Sequence, residues 1–265
     1  MSKSYLSVHK LLHKLGHPAQ GLYKPHKASG SEQIILYTEV TSYCNNKCVF
    51  CAIDKVKRKG FIKDEVREKV REFILSQPDI KFLVYFHLVG EPLLYNALDD
   101  YIRSLLLPNT ELWVCTNGVL LTDDRVRKLR QAGLKNVWFS MFYTNNSDYK
   151  KYVRSDNFDS ANKNLFNLLS NNKMFDKIRI VTFSENADAI KKAIENKNNV
   201  ILQTSREKEE WDGESKRNFI CISIDGEVCF DWRDYNLDNS IGNICQLDSD
   251  TVIREYNKLI CASSK

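Results

Sequence analysis

Six strand-then-helix units follow one another after residue 30, and they constrain the fold more than any other feature of the sequence. Short apolar runs rich in β-branched and aromatic residues predict strands, and the amphipathic stretches between them predict helices. The predicted strands are 34–40, 82–88, 111–115, 136–141, 177–183 and 199–203, and the predicted helices are 62–76, 96–106, 123–132, 158–170 and 187–196. Units of about 30 residues join parallel strands through right-handed crossovers. Six units are too few for an eight-stranded barrel, so a doubly wound sheet and a partial barrel both fit.

Boundary residues and changes of composition divide the chain further. Asp123 is predicted to cap a helix and Gly133 to end it. Residues 205–218 are almost all polar and predict an exposed connector, followed by a β-hairpin over 219–231 and a closing helix over 249–260. The predicted domains are a basic N-terminal extension (1–30), a barrel domain (31–204) and a C-terminal subdomain (205–265).

The charge and the apolar pattern narrow the class of protein. The chain has 39 Lys and Arg against 34 Asp and Glu, a net charge of +5 that does not indicate a nucleic-acid-binding protein. No apolar run approaches the roughly 18 residues of a membrane span, and the N-terminus lacks the pattern of a secretory signal. We therefore expect a cytoplasmic protein without a membrane partner, in which the eight cysteines are metal ligands, reactive thiols or buried small residues rather than disulfides.

Three of those cysteines, Cys44, Cys48 and Cys51, follow the first predicted strand in a Cys-x3-Cys-x2-Cys pattern. Functional residues of α/β folds gather at the C-terminal ends of the strands, where this loop lies. A structural zinc site is closed by four ligands, and no fourth one is present in the loop. Three thiolates on a four-iron cluster leave one iron open to a further ligand. A zinc site completed by a distant residue, or separate buried thiols, are the alternatives.

Several motifs in the right order resemble those of the radical S-adenosylmethionine (SAM) enzymes. An aromatic residue, Phe50, precedes the last cysteine of the trio; a Gly-Glu-Pro motif (90–92) follows the second strand, and a Thr-Asn-Gly motif (116–118) follows the third. Ser140 ends the fourth strand, and Arg154 lies in a segment resembling one that supplies a partner for the SAM carboxylate. The resemblance implies an α/β fold: a partial (β/α)6 TIM-like barrel of parallel strands with a small C-terminal β-hairpin and helix subdomain.

The same resemblance implies a [4Fe-4S] cluster on Cys44, Cys48 and Cys51, bound SAM, and a flavodoxin- or ferredoxin-type electron donor. Reductive cleavage of SAM would give a 5′-deoxyadenosyl radical that abstracts hydrogen from a substrate. Arg154 can bind the SAM carboxylate through two parallel hydrogen bonds, and the Gly-Glu-Pro turn can accept from its ammonium group. The residues expected to contact SAM are Phe50, Gly90, Glu91, Pro92, Thr116, Asn117, Ser140 and Arg154.

The last 45 residues partly resemble the twitch or SPASM-type extensions of the family, which hold auxiliary clusters. Two alternatives stay open: the subdomain holds a second [4Fe-4S] cluster, or it is a remnant of such an extension that holds no cluster and keeps its thiols buried. The cysteines concerned are Cys221, Cys229, Cys245 and Cys261. A two-residue turn at 225–226 would pair Ile222 with Cys229, whereas a three-residue loop at 224–226 would pair Cys221 with Cys229 and bring the two thiols to one face.

The expected reaction is oxidation or epimerisation of a small polar substrate, such as an anionic sugar or nucleotide, or of a peptide. Cys115, Cys229, Cys245 and Cys261 are candidate hydrogen donors for epimerisation. Tyr85 and His87 alternate onto one face of the second strand and either line the pocket or pack in the core. A ribosomal-peptide or RNA-modifying enzyme is an alternative within the family, although the modest charge disfavours nucleic acid. A non-enzymatic zinc or iron-sulfur scaffold, or an electron carrier, is the alternative from another class.

Overall fold

A computed structural model describes residues 33–205 and 219–262. The predicted basic extension and all but the first residue of the predicted connector lie outside these residues. The strands are β1 (Gln33–Thr38), β2 (Lys81–Phe86), β3 (Thr110–Thr116), β4 (Asn136–Ser140), β5 (Lys177–Phe183), β6 (Val200–Ser205), β7 (Phe219–Ile222), β8 (Glu227–Cys229) and β9 (Gly242–Asn243).

Helices connect the strands and close the described chain. The α-helices are α1 (Asp64–Leu75), α2 (Leu98–Ser104), α3 (Asp123–Gln131), α4 (Phe158–Ser170), α5 (Ala187–Ile194) and α6 (Ser249–Ala262). A short helical segment at Asn146–Asp148 leads into a π-helical turn at Tyr149–Val153, and 3₁₀ turns lie at Pro92–Leu94, Asn172–Met174 and Ser184–Asn186. All predicted strands and helices of the barrel region are present, with bounds that agree to within two residues.

Within residues 33–205 and 219–262, the strands form one open sheet of nine strands in the order β6-β5-β4-β3-β2-β1-β7-β8-β9. Neighbouring strands from β1 to β6 are parallel. Because β1 to β6 follow one another in a single direction across the sheet, these six strands lack the switch point of a doubly wound fold and follow the winding of a barrel. The α/β fold with a parallel, unclosed sheet is therefore confirmed.

The C-terminal hairpin extends the same sheet on the far side of β1. Residues Ile35–Thr38 pair in parallel with Phe219–Ile222, and β8 and β9 continue antiparallel. Cys221 pairs directly with Cys229, and Gly226 has a positive φ of 93°. This geometry matches the three-residue loop and excludes the two-residue turn.

The two faces of the sheet have different surroundings. Ile34 and Leu36 belong to the large core under the helices, whereas Ile35 and Tyr37 belong to a smaller cluster on the opposite, inner face. This alternation follows from the period of two along a strand. The inner cluster is rich in aromatic residues and cysteines. In the described part of the chain, no helix is long and apolar enough to cross a membrane.

Helix α3 shows how local chemistry sets a boundary. The prediction that Asp123 caps the helix is wrong by one residue: Thr122 is the N-cap, and its hydroxyl accepts a hydrogen bond from the Arg125 N–H at 3.2 Å. A β-region residue just before the helix is the one whose side chain reaches that N–H. Gly133 ends the helix as predicted, with a φ of 96° that favours glycine.

Candidate active site

The cysteine loop leaves the end of β1 and is closed at its base by hydrogen bonds. The Thr41 hydroxyl donates to the Gly60 carbonyl at 3.0 Å, and the Ser42 hydroxyl accepts from the Gly60 N–H at 2.9 Å. The Ser42 N–H also donates to the Gly60 carbonyl, at 3.0 Å. Both side chains are buried, so the polar residues before the cysteines fix where the loop begins and ends.

The three thiols lie half-buried on this loop. The Cys44 sulfur accepts from the Asn46 N–H at 3.4 Å and from the Asn117 side-chain amide at 3.8 Å. Burial and the nearby Glu91 carboxylate raise the pKa of Cys44 to about 12, and burial also raises the pKa of Cys48 and Cys51. Iron must therefore displace protons when it binds, because the thiolate is the ligand.

The donor set of the cysteine loop fits an open cluster. The three cysteines share one loop, and the loop supplies N–H donors to sulfur of the kind that tune iron-sulfur clusters. This arrangement disfavours a closed mononuclear zinc site and suits three thiolates on a larger cluster.

The Gly-Glu-Pro turn after β2 packs directly on the backbone of the cysteine loop. A Cβ atom at residue 90 would lie 2.1 Å from the Thr41 carbonyl oxygen and 2.7 Å from that of Tyr43. Only glycine allows this approach. The Glu91 N–H then donates to the Tyr43 carbonyl at 2.8 Å, and Pro92 starts a 3₁₀ turn.

The Glu91 side chain ties this turn to the Thr-Asn-Gly turn after β3. Its carboxylate accepts from the Leu93 N–H at 3.1 Å, from the Thr116 hydroxyl at 2.8 Å and from the Asn117 N–H at 2.8 Å. Glu91 is 2% exposed, and burial raises its pKa to about 7 even though these hydrogen bonds oppose the shift. Its two oxygens thus hold the turns together.

Asn117 completes the contact between the third turn and the cysteine loop. Its side-chain amide donates to the side-chain oxygen (Oδ1) of Asn45 at 2.7 Å and approaches the Cys44 sulfur. Gly118 has a φ of 80°, and a Cβ there would lie 1.9 Å from the Phe139 ring. The loops after β1, β2 and β3 therefore form one connected hydrogen-bonded unit.

Phe50, Ser140 and Arg154 lie on the side of the site formed by β4 and β5. The Phe50 ring packs against Phe142 and Phe183, with centroids 4.9 and 5.4 Å apart. Ser140 is half-buried at the end of β4. Arg154 is exposed, has a left-handed φ of 52° and directly follows the π-helical turn, whose Val153 carbonyl accepts from the cysteine loop.

The C-terminal cysteines do not form a single group. Cys221 and Cys229 pair across β7 and β8 in the inner cluster, which also contains Cys115. Cys245 instead lies beside Glu65 of α1, packed against the outer core, and Cys261 is exposed on α6. Burial raises the pKa of Cys115 and of Cys221, so both keep their proton at neutral pH. The structure brings together two of the four residues considered for an auxiliary cluster.

Tyr85 and His87 occupy different surroundings. The Tyr85 ring stacks on Tyr37 at 5.3 Å and on Trp113 at 5.8 Å, so it belongs to the inner aromatic cluster. His87 follows β2, where desolvation lowers its pKa to about 4. The histidine is therefore neutral at physiological pH.

Sequence reasoning missed four residues: an ion pair just after β1 and two polar residues on the sheet. Buried Glu39, directly after β1, forms a two-oxygen ion pair with Arg58 at 2.6 and 2.8 Å, and Arg58 also donates to the Tyr235 carbonyl. Arg179 and Gln203 lie on the inner face of β5 and β6. The alternation in Ile178-Arg179-Ile180 was the available signal for Arg179, but an arginine in a strand is more often a surface residue.

With this geometry established, comparison with known proteins identifies the class. Residues 38–202 match the radical SAM superfamily, which is more than half of the chain. The chain belongs to the radical SAM superfamily, whose enzymes use a [4Fe-4S] cluster and SAM. Two solved structures share the fold. BtrN in complex with AdoMet and 2-DOIA has a TM-score of 0.59 at 19% identity, over 89% of this chain and 91% of that one. Native anSMEcpe with bound AdoMet and Cp18Cys peptide has a TM-score of 0.65 at 17% identity, over 88% and 84%.

Two curated proteins are similar in sequence. The chain is 32% identical to a tungsten-containing aldehyde ferredoxin oxidoreductase cofactor-modifying protein of Pyrococcus furiosus over 107 residues, which is 40% of this chain and 30% of that protein. It is 30% identical to an S-adenosyl-L-methionine-dependent 2-deoxy-scyllo-inosamine dehydrogenase of Niallia circulans over 105 residues, which is 38% and 42%. The matches thus span less than half the length of these relatives.

Proposed function

We propose that this radical SAM enzyme abstracts hydrogen from a small polar substrate and completes either an oxidation or an epimerisation. The observation that carries the proposal is the Glu91 carboxylate, which joins the Gly-Glu-Pro turn to the Thr-Asn-Gly turn while Gly90 and Asn117 contact the cysteine loop. Three separate motifs are thereby held as one site at the C-terminal ends of adjacent strands. Sites of chemistry in such folds lie at this end.

Cys44, Cys48 and Cys51 would hold the cluster, with the Asn46 N–H and the Asn117 amide orienting the Cys44 sulfur. The bound cluster would supply the electron for reductive cleavage of SAM, and this radical chemistry would serve to abstract hydrogen from the substrate. The protein contributes orientation and exclusion of water.

The chain offers two kinds of group to SAM itself. Arg154 is an exposed cation beside the cysteine loop, and within the described parts of the chain no carboxylate is paired with it, so it is available to a SAM carboxylate. Glu91 already accepts three hydrogen bonds and is buried, so the backbone of its turn is the better acceptor for the SAM ammonium group. Phe50 and Ser140 would border the same cofactor.

The positions of the thiols bear on the outcome at the substrate carbon. Of the four candidate hydrogen donors, Cys115 and Cys229 are in the inner cluster, whereas Cys245 packs on the outer side and Cys261 is exposed. The raised pKa of Cys115 preserves the S–H bond that a hydrogen donor needs. These facts support epimerisation. Similarity to a SAM-dependent dehydrogenase and the fold of BtrN support oxidation instead.

The partner that supplies the electron would be an acidic carrier of the flavodoxin or ferredoxin type. The cysteine loop exposes Lys47, Lys55, Lys57 and Lys59 against a single acidic side chain, Asp54. A basic surface next to the cluster loop attracts an acidic partner and raises its rate of association. The anSMEcpe structure contains a peptide, which supports a peptide as the alternative substrate class.

The test begins with anaerobic reconstitution of the reduced protein, followed by iron, sulfide and zinc analysis and an assay for 5′-deoxyadenosine. We expect about four irons per chain in the wild type and none in a Cys44/Cys48/Cys51→Ala variant, which should also produce no 5′-deoxyadenosine. The matched control is Cys261→Ala, which removes an exposed thiol and should change neither quantity. About eight irons, falling to four in the triple variant, would establish an auxiliary cluster.

Bound zinc in place of iron, with no SAM cleavage, would refute the proposal and favour the non-enzymatic scaffold. If cleavage occurs, its rate is compared in the presence of phosphorylated sugars, nucleotides and peptides. Turnover in D2O then separates the outcomes. Epimerisation through an exchangeable thiol leaves one deuterium at the product carbon, whereas oxidation removes two electrons and leaves none there.

A further inference from the structure

The inner face of the sheet holds a cation in an aromatic setting. Arg179 of β5 is paired in register with Trp138 of β4, and its guanidinium carbon lies 4.9 Å from the ring centroids of both Trp138 and Trp113. Its Nη1 donates to the Tyr85 hydroxyl at 3.4 Å. Contacts of this kind hold a guanidinium group in one place by attraction to the ring faces.

This cation has no negative partner on the protein as described. Across residues 33–205 and 219–262, no carboxylate forms an ion pair with Arg179, and its buried Nε has no hydrogen-bond partner. Glu111, near the start of β3 two strands away from Arg179, is already paired with Lys81 and Lys177. Arg179 is half-buried, and a charge that is partly removed from water is normally paired with an opposite charge. The guanidinium therefore has unused capacity for an anion.

A second unsatisfied side chain lies beside it on the same face. Arg179 is opposite Ile201, and Val181 is opposite Gln203, so Gln203 is one step further along the same face toward the C-terminal ends of the strands. Gln203 is 3% exposed, and both its Oε1 and its Nε2 are buried without a partner in the described structure. An amide in this state can donate one hydrogen bond and accept another from a ligand.

We propose that Arg179 and Gln203 bind the substrate, with the guanidinium group holding a carboxylate or phosphate of that substrate and the amide holding a neighbouring polar group. The planar guanidinium fork matches either anion through two parallel hydrogen bonds. Ser140, opposite Val181 in the same register row, ends β4 at the edge where the cofactor site lies. The bound anion would thus lie closer to the N-terminal ends of the strands than the reacting carbon of the substrate. The identification of this ligand as the substrate rests on the proposed function.

Anion binding is tested on the whole chain without SAM, with inorganic phosphate and acetate as probes at constant ionic strength set with chloride. The readouts are tryptophan fluorescence, since Trp113 and Trp138 flank the guanidinium, and the urea midpoint, which a ligand of the native state raises. We expect a saturable response to at least one probe. Phosphate alone indicates a phosphorylated substrate, and acetate alone indicates a carboxylate.

Arg179→Gln should weaken this binding about tenfold to a hundredfold, the usual effect of losing hydrogen bonds to a charged group. Gln203→Leu, which keeps the volume and removes both polar atoms, should weaken it less, and it tests the site if Arg179→Gln does not fold. The matched control is Arg127→Gln on the exposed face of α3, paired only with Asp124, which should bind as the wild type does. No response to either probe, or equal binding by the wild type and both site variants, would overturn the proposal.

The two proposals fail in distinguishable ways. SAM cleavage without anion binding at Arg179 would leave the proposed function intact and remove this inference. Anion binding that depends on Arg179, in a protein that neither retains iron nor cleaves SAM, would support this binding site and refute the proposed function.

Discussion

Replacing Glu91 by glutamine should change how the stability of the protein depends on pH. The wild-type carboxylate accepts hydrogen bonds from Leu93, Thr116 and Asn117. A glutamine keeps the shape but has only one acceptor oxygen. With that oxygen toward Leu93 and Thr116, its NH₂ group faces the Asn117 N–H, and a buried donor left without an acceptor costs about 1–3 kcal/mol.

The sign of the pH dependence follows from the pKa of Glu91. Burial raises this pKa from 4.5 to about 7, so the folded protein holds a proton that the unfolded chain has already lost. Glu91 therefore favours folding below about pH 4.5, and this contribution is lost as the pH rises through 7. The difference between the folded and unfolded pKa of Glu91 corresponds to roughly 3 kcal/mol in the free energy of unfolding, and about 2 to 3 kcal/mol of this is lost between pH 5 and pH 8.

The measurement is urea unfolding of the iron-free, reduced wild type and Glu91→Gln at several pH values from 5 to 8. Because other titrating groups are common to both proteins, the gap in free energy of unfolding isolates Glu91. Relative to the variant, the free energy of unfolding of the wild type should fall by about 2 to 3 kcal/mol between pH 5 and pH 8.

The matched control is Glu111→Gln, on the same sheet at the other end of β3. Burial raises the pKa of Glu111, but the hydrogen bonds from Lys177 and Trp113 and the charges of Lys177 and Lys81 together outweigh it, so the net pKa is below its usual value. The difference in free energy of unfolding between Glu111→Gln and the wild type should stay constant over this pH range, since Glu111 is ionised above pH 5 in both the folded and the unfolded protein. A constant gap for Glu91→Gln as well would refute the assignment of a raised pKa.

Three further predictions concern single contacts. Gly90→Ala would place Cβ 2.1 Å from the Thr41 carbonyl oxygen. We therefore expect about 3 kcal/mol or more of destabilisation in urea unfolding, together with reduced iron retention. Wild-type values for both quantities would contradict the close packing of this turn on the cysteine loop. Arg58→Met leaves Glu39 buried without its partner and should cost about 3–5 kcal/mol by the same method, against less than about 1 kcal/mol for Arg127→Met. Arg154→Ala should weaken SAM binding to the reconstituted protein about tenfold to a hundredfold in equilibrium dialysis, and unchanged binding would remove Arg154 from the SAM site.

The sequence alone determined the order of strands and helices and the motifs at their ends. Alternating apolar residues are local signals, so all six barrel strands could be predicted to within two residues. The cysteine trio, the Gly-Glu-Pro turn and the Thr-Asn-Gly turn could be predicted to meet, because the C-terminal ends of neighbouring parallel strands meet at one edge.

Only the tertiary structure decided how these parts act on one another. The resemblance predicts that Glu91 contacts SAM, but the burial of Glu91 and its hydrogen bonds to the Thr-Asn-Gly turn depend on how closely Gly90 approaches the cysteine loop. The register of the hairpin, with Cys221 opposite Cys229, depends on one extra loop residue that sequence spacing leaves open. In the described parts of the chain, Arg179 has no carboxylate partner and the Gln203 amide has no hydrogen-bond partner, and both facts depend on which side chains from distant strands share the inner face. Such relations arise from packing between residues far apart in sequence, and no local pattern records them.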